Sequence, residues 1–213
     1  MMSKSKILLL ISVFSLVLLA ILAVLVASSA TSYVDKAVLT WINGNSSPAL
    51  TTFFVSVTQL GGVIAVTTIT LLLIIFMLFK KAKSKAVLIA LGVGGASGIA
   101  FILKAVFERP RPDLWEWLVH ETYFSFPSGH AVGSASLALC IMVLFWQTKW
   151  RIPTLIVAAL YMGIIGVSRL YLGVHYPTDI LGGWLVASAW VAFITALMYR
   201  RNISKNAKPE VNS

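Results

Sequence analysis

The stretch PSGHAVGSASLALCIMVLFW, residues 127–146, opens on a proline, a serine, a glycine and a histidine and then runs apolar to Trp146. A hydrocarbon core of about 30 Å takes roughly 20 helical residues to cross, so Ser128–Trp146 reads as a membrane span with His130 at its mouth. Five more runs have the same character: Ile7–Ala27, Gly61–Phe79, Ala86–Phe107, Ile152–Leu170 and Ile180–Tyr199. The expected fold is all-α, a six-transmembrane-helix bundle forming a single integral-membrane domain over residues 1–213. An even number of spans puts both termini on one side.

Composition agrees. The chain is 59% hydrophobic and 11% charged, against about 25% charged in soluble domains. The net charge of +10 does not point to nucleic acid, because the basic residues fall in short clusters between apolar runs instead of along one face. Cys140 is the sole cysteine and lies inside an apolar run, so a packing role is expected. Ala49–Leu60, interrupted by Gln59 and threonines, reads as a short interfacial helix leading into the second span. Gly94 and Gly98 are spaced for close helix packing. Lys4 and Lys6 before the first run, with Ser28-Ser29-Ala30 after it, resemble a signal peptide, but about 21 residues exceeds the usual 7–15 of such a segment and a retained span is the preferred reading.

Lysine and arginine counted by alternate loops give the orientation, since cytoplasmic loops carry the excess. One side holds Lys4, Lys6, Lys80, Lys81, Lys83, Lys85, Lys149, Arg151, Arg200, Arg201, Lys205 and Lys208; the other holds only Lys36, Lys104, Arg109, Arg111 and Arg169. Both termini are expected in the cytoplasm, and the charged motifs on the outside. The tail after Arg201 is polar.

Ionisable residues at the ends of apolar runs mark functional sites by default. Lys104 and Arg111, seven apart, share one helix face, although Pro110 and Pro112 end the helix before Arg111. Arg109 falls well round the cylinder and reads as a surface or headgroup contact. Pro127 suits a first helical position, which would leave the amides of Ser128 and Gly129 free for an anion. His130 beside them can hold a proton for a leaving oxygen. Arg169 lies near the end of the fifth run. His175 precedes Tyr176-Pro177, the start of the sixth helix, where Asp179 could reach back to one ring nitrogen and leave the other free to attack phosphorus. Capping alone would also explain Asp179, and both roles are compatible. No carboxylate cluster or His/Cys spacing suggests a metal.

Lys104-x6-Arg111-Pro112, Pro127-Ser128-Gly129-His130 and Ser168-Arg169-x5-His175-x3-Asp179 resemble, in order and spacing, the three signature motifs of the type 2 phosphatidic acid phosphatase family. The resemblance implies a phosphatase core with its active site at the extracytoplasmic membrane interface. It implies that His175 is the nucleophile forming a phosphohistidine, that Asp179 orients it, and that His130 protonates the leaving group. Lys104, Arg111, Ser128, Gly129, His130 and Arg169 would contact the phosphate, with no metal or other cofactor. The fixed cations suit this physically, because in-line displacement places charge on equatorial oxygens.

The partners expected are a lipid phosphate substrate and membrane lipids, with no nucleic acid; oligomeric state is left open. Phosphatidylglycerol phosphate, undecaprenyl pyrophosphate and phosphatidic acid are the substrates the resemblance suggests. Asp113–Phe126, with Trp115, Trp117, Tyr123 and Phe124, has the aromatic content of an interfacial lid or an anchoring loop, and His120 reads as an idle loop residue. The alternative of another class is a lipid or ion transporter, disfavoured because the charges gather at one face and no inverted repeats are visible. A vanadate-binding oxidant is disfavoured by the membrane setting, and a silent structural protein by the intact set of candidate residues.

Overall fold

The computed structural model describes residues 2–206, with side chains described as far as Arg200. The tail beyond Asn206, including Lys208, lies outside the described residues, as do the side chains of Arg201 and Lys205. Eight α-helices follow in order: α1 (Lys4–Ala27), α2 (Ser32–Gly44), α3 (Pro48–Thr58), α4 (Val63–Phe79), α5 (Lys83–Phe107), α6 (Gly129–Phe145), α7 (Arg151–Tyr171) and α8 (Pro177–Asn206). The expected all-helical membrane fold is borne out, and every predicted run lies on a helix with its ends within three residues, except that α8 continues past Tyr199 to Asn206.

Helix ends follow local chemistry. The Ser3 hydroxyl accepts from Lys6 N to cap α1, and Ser47 does the same for α3, where Pro48 takes the first position. At the far end of α5, Glu108 turns left-handed (φ 44°) and Pro110 prevents any continuation. Arg111 therefore leaves the helix cylinder and lies on the segment that leads to α6.

The bundle centres on α6, which packs on α5, α7 and α8, while α1 runs along α8. Ala131, Gly133, Ser134, Ala135, Ser136 and Ala138 of α6 are buried. Small residues let backbones approach closely, which is how helices associate where lipid removes the hydrophobic drive. Cys140 packs in the core with Ile89, Val93, Leu137 and Val191, in the role expected of it. The glycines that admit a neighbour are not the expected pair. A side chain at Gly92 would strike Cys140 and one at Gly95 would strike Trp190, whereas Gly94 and Gly98 face open space.

By length and composition α1, α5, α7 and Pro177–Arg200 of α8 can each cross a membrane, and α3 with α4 form one further apolar pair bent by 43°. The apolar α6 is shorter at 17 residues, about 25 Å of rise. Ala49–Leu60 is indeed a helix before the second apolar run, as α3 and the short 3-10 turn Gln59–Gly61. Helix α2 has no counterpart in the sequence reading. It buries Asp35 and Leu39, one turn apart, and turns Ile42 toward Tyr171 and Leu172.

Candidate active site

Four helix ends meet at one end of the bundle: the C-termini of α5 and α7 and the N-termini of α6 and α8. Antiparallel neighbours bring these ends together, so residues far apart in sequence share one pocket. His175 sits just before α8 and is 1% exposed. Its Nδ1 lies 3.2 Å from Asp179 Oδ2, and its Nε2 lies 3.2 Å from an Arg111 Nη1. An acidic Asp179 partner fixes the proton on Nδ1 and leaves the Nε2 lone pair toward the guanidinium. Burial, with the charges of Arg169, Arg111 and Lys104, holds the His175 pKa well below the ordinary imidazole value. The ring is neutral at physiological pH.

Asp179 is fully buried and serves two donors through Oδ2, His175 Nδ1 and, at 2.9 Å, the backbone N–H of Tyr176. The second contact is the acid half of a capping box, a third-position carboxylate reaching back to the residue before the helix. Capping and orientation thus occur in one side chain.

Three cations belong to the same site. Arg111 is anchored by Nε to Tyr123 O at 2.7 Å and by Nη1 to Val174 O at 2.8 Å. Arg169, 1% exposed, donates from Nη1 to Thr58 Oγ1 at 3.0 Å, and its buried Nε has no partner among the described residues. Lys104 Nζ donates to the carbonyl of Phe124 and reaches Ser125 O at 3.5 Å. A carboxylate is shared between the two guanidiniums: Glu121 Oε2 is 3.2 Å from an Arg111 Nη2, and its Oε1 pairs with Arg169.

The start of α6 differs in detail from the expectation. Pro127 precedes the cap, joined to Phe126 by a cis peptide bond, and Ser128 is the N-cap with its hydroxyl near Ala131 N. The Ser128 amide is spent on Asp179 O at 3.0 Å. The amides of Gly129 and His130 are those left without intrahelical acceptors by position. His130 is half-buried, and the charges of Arg169, Arg111 and Lys104 reach it. Gly129 is exposed, and the Lys104 chain passes beside it.

Arg109 is not the surface or headgroup contact the helical wheel suggested. Because α5 stops at Phe107, the wheel no longer applies at position 109, and the side chain turns inward. Its Nη1 is 2.6 Å from Asp179 Oδ1 and its Nη2 is 2.8 Å from Asp35 Oδ2. Asp35, Glu121 and Thr58 were also missed, and for a common reason: each reaches the site through contacts no local pattern encodes. The expected idle position of His120 is exposed on the 108–128 segment. Among the described residues no group of three or more His, Cys, Asp or Glu is placed to hold a metal.

A profile of the PAP2 superfamily matches residues 85–203, which contain all three motif stretches. Phosphatidylglycerophosphatase B of Bacillus subtilis is 31% identical over 77% of this chain and 83% of its own length. Undecaprenyl-diphosphatase BcrC of the same organism is 32% identical over 58% of this chain and 64% of its own length. The crystal structure of a transmembrane PAP2-type phosphatidylglycerolphosphate phosphatase from Bacillus subtilis superposes with a TM-score of 0.79 at 27% identity, over 93% of this chain and 98% of that one. That of Aquifex aeolicus LpxE superposes with 0.62 at 25% identity, over 77% of this chain and 94% of that one. The match over more than half the sequence, carried by the same residues that converge at one end of the bundle, makes this chain a multi-pass membrane protein of the PAP2 superfamily.

Proposed function

We propose that the protein is a lipid phosphatase that works through a phosphohistidine and needs no metal. The observation that carries this is the pairing of a neutral, Asp179-bound His175 with two guanidiniums that already share an oxyanion, the Glu121 carboxylate. A substrate phosphate replaces that carboxylate between Arg111 and Arg169, with Lys104 and the first-turn amides of α6 completing the cradle, and Ser128 setting their geometry as the N-cap. His175 Nε2 then attacks phosphorus in line, the bond to the leaving oxygen breaks, and His130, which takes up a proton once the phosphate's negative charge offsets the surrounding cations, gives that proton to the leaving oxygen. Asp179 holds the imidazolium that forms. Water, deprotonated by His130, next attacks the phosphohistidine; the P–N bond breaks, phosphate departs and His175 returns to its neutral form. Positioned charge of this kind stabilises a phosphoryl transition state without covalent help from a metal.

The chain acts as one integral-membrane domain of six spans, with both termini in the cytoplasm and the pocket facing outside. The excess of lysine and arginine on the opposite side supports that orientation. A pocket at headgroup depth suits substrates whose tails stay in lipid. Phosphatidylglycerol phosphate and undecaprenyl pyrophosphate, after the names of the two Bacillus subtilis relatives, and phosphatidic acid, after the resemblance of the motifs, are the proposed set. The test is inorganic phosphate release by detergent-solubilised full-length protein across these three lipids in excess EDTA. Release from at least one is expected. A transporter releases none, and release that vanishes with chelator and returns with magnesium overturns the metal-independent mechanism.

A further inference from the structure

Asp35 is 0% exposed on α2, a helix outside all three motif stretches, and its carboxylate is fully engaged. Oδ1 accepts the Thr178 backbone N–H at 3.2 Å; Oδ2 accepts the Thr178 hydroxyl at 2.7 Å and Arg109 Nη2 at 2.8 Å. Thr178 lies in the first turn of α8, so α2 supplies a cap to a helix 143 residues away in sequence. Arg109 continues the chain: its Nη1 donates to Thr178 Oγ1 at 2.8 Å and to Asp179 Oδ1 at 2.6 Å, and its guanidinium stacks on the Tyr176 ring at 4.2 Å. The series therefore runs Asp35, Arg109, Asp179, His175, ending at the proposed nucleophile.

A cap needs only the Thr178 amide. The bonds through Arg109 do something more, because they occupy the oxygen of Asp179 that His175 does not use. With Oδ1 held by Arg109 and Oδ2 by Tyr176 N–H and His175, the carboxylate cannot rotate. The guanidinium is shared between two carboxylates, so Asp35 draws part of its charge away from Asp179. Asp179 keeps enough negative charge to stabilise an imidazolium on His175 when the ring becomes phosphorylated.

We infer that Asp35 and Arg109 are positioning residues for phosphoryl transfer, acting on His175 through Asp179. This rests on the reading of His175 as nucleophile. Removing the Asp35 charge hands Arg109 wholly to Asp179, and replacing Arg109 by lysine leaves a point charge that cannot span both carboxylates. Neither change touches Lys104, Arg111 or Arg169, so phosphate binding persists while the chemical step slows.

The experiment uses full-length protein in detergent with short-chain phosphatidic acid, comparing wild type, Asp35→Asn and Arg109→Lys, each alone and with Asp179→Asn. The single variants are expected to lose about tenfold in kcat, as residues behind a functional histidine do, with KM within about twofold of wild type because binding groups are intact. In single-turnover phosphorylation, each is expected to change the Asp179→Asn protein by less than about twofold, since a group acting through Asp179 has nothing left to act on. Wild-type kcat in a folded variant, a loss confined to KM, or losses that multiply with Asp179→Asn overturn the inference. If Asp35→Asn does not fold, Arg109→Lys decides alone, its site being partly open and its charge kept. A wild type as inactive as His175→Ala brings down the underlying reading and the inference with it, whereas an active wild type with unaffected variants overturns the inference alone.

Discussion

On the α7–α8 side of the pocket, His175, Asp179 and Arg169 are at most 1% exposed, and each is held by a helix end or a neighbouring helix as well as by one residue of the 108–128 segment. On the side of the 108–128 segment, Arg111 and Lys104 are held by the carbonyls of Tyr123, Phe124 and Ser125, and Glu121 keeps 22% of its side chain exposed. The first wall is over-determined; the second has a partner that can be exchanged. A nucleophile needs a fixed tautomer and direction, so bonds from several helices suit it. A binding wall must open its ion pairs each time substrate arrives, so a partly exposed carboxylate placed between two guanidiniums suits it equally well.

The harshest way to break this contrast is at the nucleophile. His175→Ala is expected to lower kcat by about 10⁴-fold or more, the scale of losing a covalent catalyst, and to abolish the phosphoenzyme in rapid-quench labelling. Wild-type turnover in that variant removes the whole fixed wall from the mechanism. Asp179→Asn keeps shape but not charge, and loses the acceptor that selects the tautomer. A fall of about 10²–10⁴-fold in kcat is expected, with KM little changed, by analogy with other carboxylate–imidazole pairs. If the loss appears in KM instead, Asp179 belongs to the binding wall.

The fixed wall also has a pH signature. Burial and three cations disfavour the imidazolium of His175, so its protonation requires a pH well below the ordinary 6.5. The rate of phosphoenzyme formation is expected to pass through 6.5 without the ordinary imidazole titration and to fall only nearer pH 6, where Asp179, raised to about 6 by burial, takes up a proton. A decline of about tenfold per unit beginning at 6.5 shows a ring that titrates normally, and hence a wall far more solvated than the structure. Stability has the same sign. The unfolded chain takes up a proton at this histidine near 6.5 and the folded one does not, so His175 disfavours folding increasingly as pH drops below that value.

The two walls were not equally legible in the sequence. His175, Asp179, Arg169, His130 and Lys104 stand at the ends of apolar runs, where an ionisable group is conspicuous, and helix spacing placed them at one end of the bundle. Arg109 was misread because a helical wheel was carried two residues past Phe107, where Glu108 breaks the cylinder. Asp35 and Glu121 lie in polar stretches in which a carboxylate is unremarkable. Their roles arise from contacts at separations of 143 and 48 residues, set by how α2 and the 108–128 segment dock. Such docking is a tertiary property with no period to read.

Glu121 gives the mildest but sharpest test of the exchangeable wall. Its carboxylate pairs with both Arg111 and Arg169, so an incoming phosphate must compete with it for the same donors. Glu121→Gln removes the competing charge and preserves size. Two effects oppose each other. The guanidiniums lose a partner that keeps them aligned, and the substrate loses a rival. The rival dominates, because Arg111 remains pinned by Tyr123 O and Val174 O and Arg169 by Thr58 without any help from Glu121. The pairs are largely buried, 22% of Glu121 being exposed against 5% of Arg111 and 1% of Arg169, so desolvation offsets most of the Coulomb gain. A net of about 1 kcal/mol corresponds to a decrease in KM of about fivefold, with kcat within about twofold of wild type. Steady-state phosphate release over a range of short-chain phosphatidic acid reads both constants. A KM that rises instead makes Glu121 a support for the cations, and the contrast between a fixed wall and an exchangeable one disappears.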